Sequence, residues 1–163
     1  MHRLRLLALV VAVIALLAPA AHVLEMPNKL RIDGPLWLAV QQSLYRGWGP
    51  FVGGPAEIGG LVLTLACFVM AGARRARALW LAAATCYVVM LLAFFMFNAP
   101  VNAAIDSWTA ATLPADWASY RAKWETGHAI AAVFATGALI FVFSARASEG
   151  RPDPSEVRSP LAS

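Results

Sequence analysis

Apolar residues run in four long blocks along this chain, at positions 6–24, 51–73, 78–97 and 127–145. About 20 helical residues cross a ~30 Å hydrocarbon core, so each block is long enough to span a bilayer. Polar interruptions are few: His22 in the first block, Glu57 in the second, no charge in the third, and His128 at the start of the fourth. None of the blocks shows the polar–apolar alternation of an outer-membrane barrel strand. The pattern predicts an all-α fold, a transmembrane four-helix bundle formed by residues 1–145. Positions 146–163 are rich in Ser, Glu, Gly, Arg, Pro and Asp and have little to bury, so a disordered cytoplasmic tail is expected there.

The connections carry helix signals of their own. Gly34-Pro35 precedes Leu36, Trp37, Val40, Leu44 and Tyr45 at roughly helical spacing, and Gly47 follows. Pro suits the first helical position and Gly the end, which predicts a short interfacial helix with Trp37, Tyr45 and Trp48 at headgroup depth. Pro114 is expected to start a helix that runs unbroken into the fourth span. Near the N-terminus, Ala18-Pro19-Ala20 also fits a secretory cleavage site. The apolar run continues through Val23 and Leu24, which favours a retained first span.

Composition identifies the solvent. The chain is 60% hydrophobic and 13% charged, with a mean hydropathy of +0.65, against roughly 25% charge in an average soluble domain. Lipid must therefore solvate much of the surface. Arg3, Arg5, Arg74, Arg75, Arg77 and Arg146 fall on one side of the predicted bundle. The other side mixes Lys29, Arg31, Arg46, Arg121 and Lys123 with Glu25, Asp33, Asp106, Asp116 and Glu125. The positive-inside rule puts the first side, with both termini, in the cytoplasm of a multi-pass cell-membrane protein. The net charge of +4 comes from these clusters. It does not come from one continuous basic face, so no nucleic-acid partner is expected. Cys67 and Cys86 lie inside apolar runs and have neither disulfide nor zinc spacing. No feature specifies an oligomeric state.

Polar groups inside spans are costly and tend to face the bundle interior. Here they share a level. His22 and Glu25 lie three apart near the outer end of span one, and Glu57 lies near the outer end of span two. Asn98, Asn102 and Asp106 step by four from the outer end of span three. Trp117, Arg121, Trp124 and His128 form one stripe entering span four. The cytoplasmic half has almost none. Each residue has a bland reading: histidines satisfied in the interior, a structural Glu57, asparagines as interhelical glue, tryptophans as anchors, Arg121 snorkelling. Taken jointly, at one depth, they predict a pocket in the outer half of the bundle. A His-x-x-Glu pair beside Glu57 and His128 resembles a ligand set for one metal ion, but a di-iron site needs more carboxylates. Haem between His22 and His128 is conceivable without a Cys-x-x-Cys-His attachment.

Asn98-Ala99-Pro100-Val101-Asn102, followed by Trp117, Arg121, Trp124 and His128, resembles the anthrone-oxygenase-like family of small four-span membrane proteins. The resemblance is clearest over 94–140. It implies oxidation of electron-rich polycyclic phenols by molecular oxygen, with no metal and no cofactor. On that implication His128 is the base, Asn98 and Asn102 donate to the enolate oxygen, and Trp124 is an aromatic wall. His22, Glu25 and Glu57 orient or tune the histidine, and Trp117 and Arg121 belong to the binding face. Related sequences often carry Arg three residues after the His, where this chain has Ala131. Three function classes stay open: an oxygenase of a lipophilic aromatic molecule, a membrane protein binding lipid, quinone or a partner helix, and a metal or haem redox protein.

Overall fold

The computed structural model describes residues 1–149. Helix α1, His2–Lys29, buries Ala8, Ala12, Ala15, Pro19, His22 and Lys29. These positions recur every three, four or seven residues, so they form one stripe along the helix. Small side chains on that stripe let a neighbouring backbone approach closely. Helix α2, Gly34–Ser43, is short and packs on the residues that follow the third span. Asp33 caps it, its carboxylate accepting from the Leu36 amide at 2.9 Å. Helix α3, Gly54–Met70, buries Ala56, Gly60, Thr64 and Cys67. Helix α4, Arg74–Ala93, buries Trp80, Tyr87 and Met90 among alanines. Helices α5, Ala99–Ser107, and α6, Trp117–Glu149, complete the order.

Helix α1 packs on α3, α3 on α4, α4 on α6, and α6 back on α1. This closes a four-helix bundle, and the start of α1 lies at the same end as the close of α6, where Ala8 and Val142 share one cluster. The large apolar side chains point the other way. Val10, Val13, Val62, Val69, Val133, Ile140 and Phe143 are exposed while alanines fill the interior. A soluble protein does not display so much contiguous apolar surface. Four helices, His2–Lys29, Gly49–Met70, Arg74–Ser107 and Trp117–Ser148, are long and apolar enough to cross a membrane. The protein is a multi-pass membrane bundle.

Three of the four helices outrun their apolar blocks at both ends, because hydropathy marks only the part in hydrocarbon and a helix can continue into the polar layer, whereas Gly49–Met70 stops three residues short of position 73. Two π-helical turns interrupt them, Gly49–Gly53 and Phe94–Asn98. Each ends just before a proline, Pro55 or Pro100. Proline has no N–H to donate and its ring crowds the carbonyl four residues back, and a wider turn relieves both.

Two expectations are corrected, for Trp37 and for Pro114. Trp37 is fully buried with Leu38, Val101, Ile105 and Trp124, so it is a core residue of the layer above the bundle and no headgroup anchor. Tyr45 and Trp48 each set one face on an interior histidine, with Trp48 otherwise exposed, which leaves their expected depth unchanged. Pro114 precedes a turn, closed by the Trp117 amide on the Pro114 carbonyl at 3.1 Å, and α6 starts at Trp117. The expected tail lies mostly outside the described residues, with α6 continuing through 146–149.

Candidate functional site

The buried stripe of α1 ends in two polar residues, His22 and Lys29, one heptad apart. On α6, the stripe of alanines is continued towards the same end by His128 and Trp124. Helices α1 and α6 are neighbours, so the two polar ends meet. The His22 and His128 ring centroids are 4.2 Å apart. Trp124 lies 4.7 Å from His22 and 4.1 Å from His128, edge to face with both. Tyr45 and Trp48, from the connection after α2, close the cluster at 4.6 and 5.6 Å from His22. Two imidazoles thus sit among three aromatic rings.

An ionic layer caps the rings. Lys29 Nζ reaches Glu125 Oε1 at 3.0 Å and Oε2 at 3.1 Å, with both side chains buried. The same ammonium lies 4.9 Å from the centre of the Trp124 ring and 5.6 Å from that of Tyr45, a cation–π arrangement. Glu25 Oε2 is 3.9 Å from Lys29 Nζ and 3.7 Å from His22 Nδ1, and it accepts the Tyr45 hydroxyl proton. Burial, then the Glu25 hydrogen bond and the nearby carboxylate charges, raises the Tyr45 phenol above its ordinary value, so at neutral pH it donates.

Asn98 and Asn102 serve Trp124. Asn98 Nδ2 donates to the Trp124 carbonyl at 2.9 Å, and Trp124 Nε1 donates to Asn102 Oδ1 at 2.9 Å. Gly127 is what lets Asn98 in, since a Cβ there would lie 2.1 Å from Asn98 Oδ1. One Asn98 amide hydrogen thus holds the Trp124 backbone, and the Asn102 oxygen holds the indole N–H. The second Asn98 hydrogen and both Asn102 amide hydrogens take no part in these contacts, so the expected donors are not used up by them.

Other expected members stand apart. Arg121 donates to the Lys29 and Ile32 carbonyls, both at 2.9 Å, capping the open end of α1 and lying 4.5 Å over Trp117. Trp117 packs against Gly34 and Trp37 in the upper layer. Glu57 makes no hydrogen bond or ion pair among the described residues, and its electrostatic neighbour is Tyr87. Asp106 is exposed. Among the described residues no group of three or more His, Cys, Asp or Glu side chains converges as a metal ion would need. The surface groove lined by Asp116, Ser119, Tyr120 and Lys123 contains none of the clustered rings.

Sequence reasoning missed Lys29, Glu125 and the inward roles of Tyr45 and Trp48. One signal was available: His22, Glu25 and Lys29 follow each other at steps of three and four, so a single helical face carries all three. Glu125 gives no such sign, being one position off the Trp124–His128 stripe.

No curated protein and no solved structure matches the chain. A sequence profile described as anthrone oxygenase matches residues 46–141. That stretch holds Trp48, both asparagines and the α6 half of the cluster, and it begins one residue after Tyr45. With more than half its length matched, including every motif residue from Asn98 to His128, this chain belongs to the anthrone oxygenase family.

Proposed function

We propose that the protein is a cofactor-independent oxygenase of the cell membrane, acting on a lipophilic aromatic small molecule that enters from the bilayer. The observation that carries this reading is the pair of imidazoles, 4.2 Å apart, walled by Trp124, Tyr45 and Trp48. Flat polycyclic substrates stack on such rings. An imidazole among them offers a nitrogen lone pair to take a proton. The substrate class is a polycyclic phenol with a CH2 group between its rings, as in an anthrone.

His128 takes a proton from the substrate, and the anion left behind is reducing enough to give an electron to molecular oxygen. The two radicals combine into a peroxide at the former CH2 carbon. Loss of water then leaves a carbonyl. The carbon gives up two hydrogens, one oxygen atom stays, and the other departs as water. Trp124, fixed by Asn98 and Asn102, stacks on the substrate.

Purified protein in lipid nanodiscs should consume oxygen with anthrone and release the corresponding quinone. His128→Ala should lower turnover by about 10²-fold or more, the lower end of what a positioned base contributes, with the melting temperature nearly unchanged. An unaltered rate in that variant would sink the proposal.

One observation favours a second reading, a binding or accessory membrane protein without catalysis. The rings pack against one another, so a ligand has to displace at least one of them. Quenching of tryptophan fluorescence by an aromatic ligand, without oxygen uptake, is the outcome that reading expects.

A further inference from the structure

His22 Nδ1 is buried and has no hydrogen-bond partner among the described residues. The carboxylate facing it is Glu25, with Oε2 at 3.7 Å and one helical turn further along α1. The His22 side chain is 3% exposed and that of Glu25 is 41% exposed, so the pair runs from the closed interior to the rim. Glu25 is held in that position. The Tyr45 hydroxyl donates to the same oxygen, and Lys29, itself locked to Glu125, stands 3.9 Å from it.

A neutral imidazole carries its proton on one nitrogen, and the group facing the other nitrogen or the N–H decides which. A bare Nδ1 here would set its lone pair against those of a carboxylate. A protonated Nδ1 instead turns its N–H dipole towards the carboxylate charge, which at 3.7 Å lies just beyond hydrogen-bond distance. The lone pair then belongs to Nε2, on a ring packed against His128 and Trp124.

The geometry points to a His22–Glu25 dyad in which Glu25 is a positioning residue that holds His22 as the Nδ1–H tautomer and makes Nε2 the second proton acceptor of the site. Its use in turnover rests on the oxygenase reading, whereas the tautomer does not. His128 returns the first proton to the peroxide. His22 Nε2 takes the remaining proton from the same carbon as the O–O bond breaks. The C–H electron pair becomes the second bond of the carbonyl. The departing hydroxide collects the proton from His22 and leaves as water. Both residues of the dyad lie on α1, outside the family-matched stretch.

The tautomer can be read without a substrate. The chain has three histidines, and ¹⁵N-histidine spectra of the full-length protein in nanodiscs resolve them, with His22→Ala giving the assignment. The proton is expected on His22 Nδ1. Glu25→Ala should abolish that preference, and Tyr45→Phe, which removes only the competing donor, should keep it. Glu25→Asp retracts the carboxylate by one methylene and serves the same comparison if Glu25→Ala does not fold. A bare Nδ1 in the unsubstituted protein overturns the dyad, and so does a preference that survives loss or retraction of the carboxylate. Inactive protein with a protonated Nδ1 supports the dyad and counts against the oxygenase reading. Active protein with a bare Nδ1 does the reverse. In active protein, Glu25→Ala should lower kcat by about 10²-fold with KM little changed, as expected for loss of a correctly poised base.

Discussion

Asn98 reaches the Trp124 carbonyl only because position 127 has no side chain. Gly127→Ala should push the amide away and leave a buried donor unmade, at about 1–3 kcal/mol. Asn98→Ala should cost a similar amount, and the two together hardly more than either, because they break the same contact. Thermal melts of the four proteins in one detergent check this, and plain additivity would dissociate Gly127 from Asn98. Tyr87 supplies the opposite case. Its ring lies against Gly60, where a Cβ would come within 2.3 Å, and its hydroxyl is buried without a hydrogen-bond partner among the described residues. Tyr87→Phe removes an unsatisfied group at constant shape and should leave the melting temperature unchanged or raised. Tyr45 differs again, for its hydroxyl has Glu25. Its ionisation is displaced upward, so the contact contributes fully below the unfolded tyrosine value of about 10 and is lost as pH rises beyond it. A phenolate difference titration of wild type against Tyr45→Phe should show no step near pH 10.

Helices α1 and α6 are joined twice at the site end, by the Lys29–Glu125 ion pair and by Arg121 on the carbonyls of Lys29, where α1 ends, and of Ile32 just beyond it. Removing one member of a buried pair strands the other. Lys29→Met should therefore destabilise by about 3–5 kcal/mol, and Lys29→Met with Glu125→Leu should recover most of that loss. A double variant no better than the single would locate the cost in lost packing of the lysine stem instead. These elements also show what was legible in the sequence. The spans were, because lipid tolerates few charges and so writes helices as long apolar blocks. The Trp124–His128 stripe was, because residues three or four apart share a helical face whatever surrounds them. Lys29 and Glu125 were not. Near a membrane surface a charged residue at a helix end is the ordinary case, and only the approach of α1 to α6 buries this pair. Trp37 was misplaced for a related reason. Indole suits both an interface and a core, and the layer that buries it is built by α2 and α5, far apart in sequence.

At the scale of the whole molecule, the charge distribution and the bundle geometry make one joint prediction about orientation. The start of α1, the α3–α4 connection and the close of α6 lie at one end, and they carry Arg3, Arg5, Arg74, Arg75, Arg77 and Arg146 with no acidic residue between 1 and 24 or between 58 and 105. Lys and Arg in short flanks near helix ends are retained on the cytoplasmic side. The site end, with mixed signs, then faces outward, and its cationic groups are in part consumed by the Lys29–Glu125 pair and by the Arg121 cap. They are consequently poor retention signals, which strengthens the bias beyond what raw counts suggest. Reporter fusions at Gly34 and Ala110 should read outside, and fusions at Gly72 and Ser148 inside. Exchanging Arg74, Arg75 and Arg77 for Gln should loosen this preference, because they form the densest basic group in the chain. If the fusions read the other way round, the histidine cluster faces the cytoplasm. Its substrate must then be drawn from the inner leaflet, and the outward opening of the proposed site is wrong even where its chemistry survives.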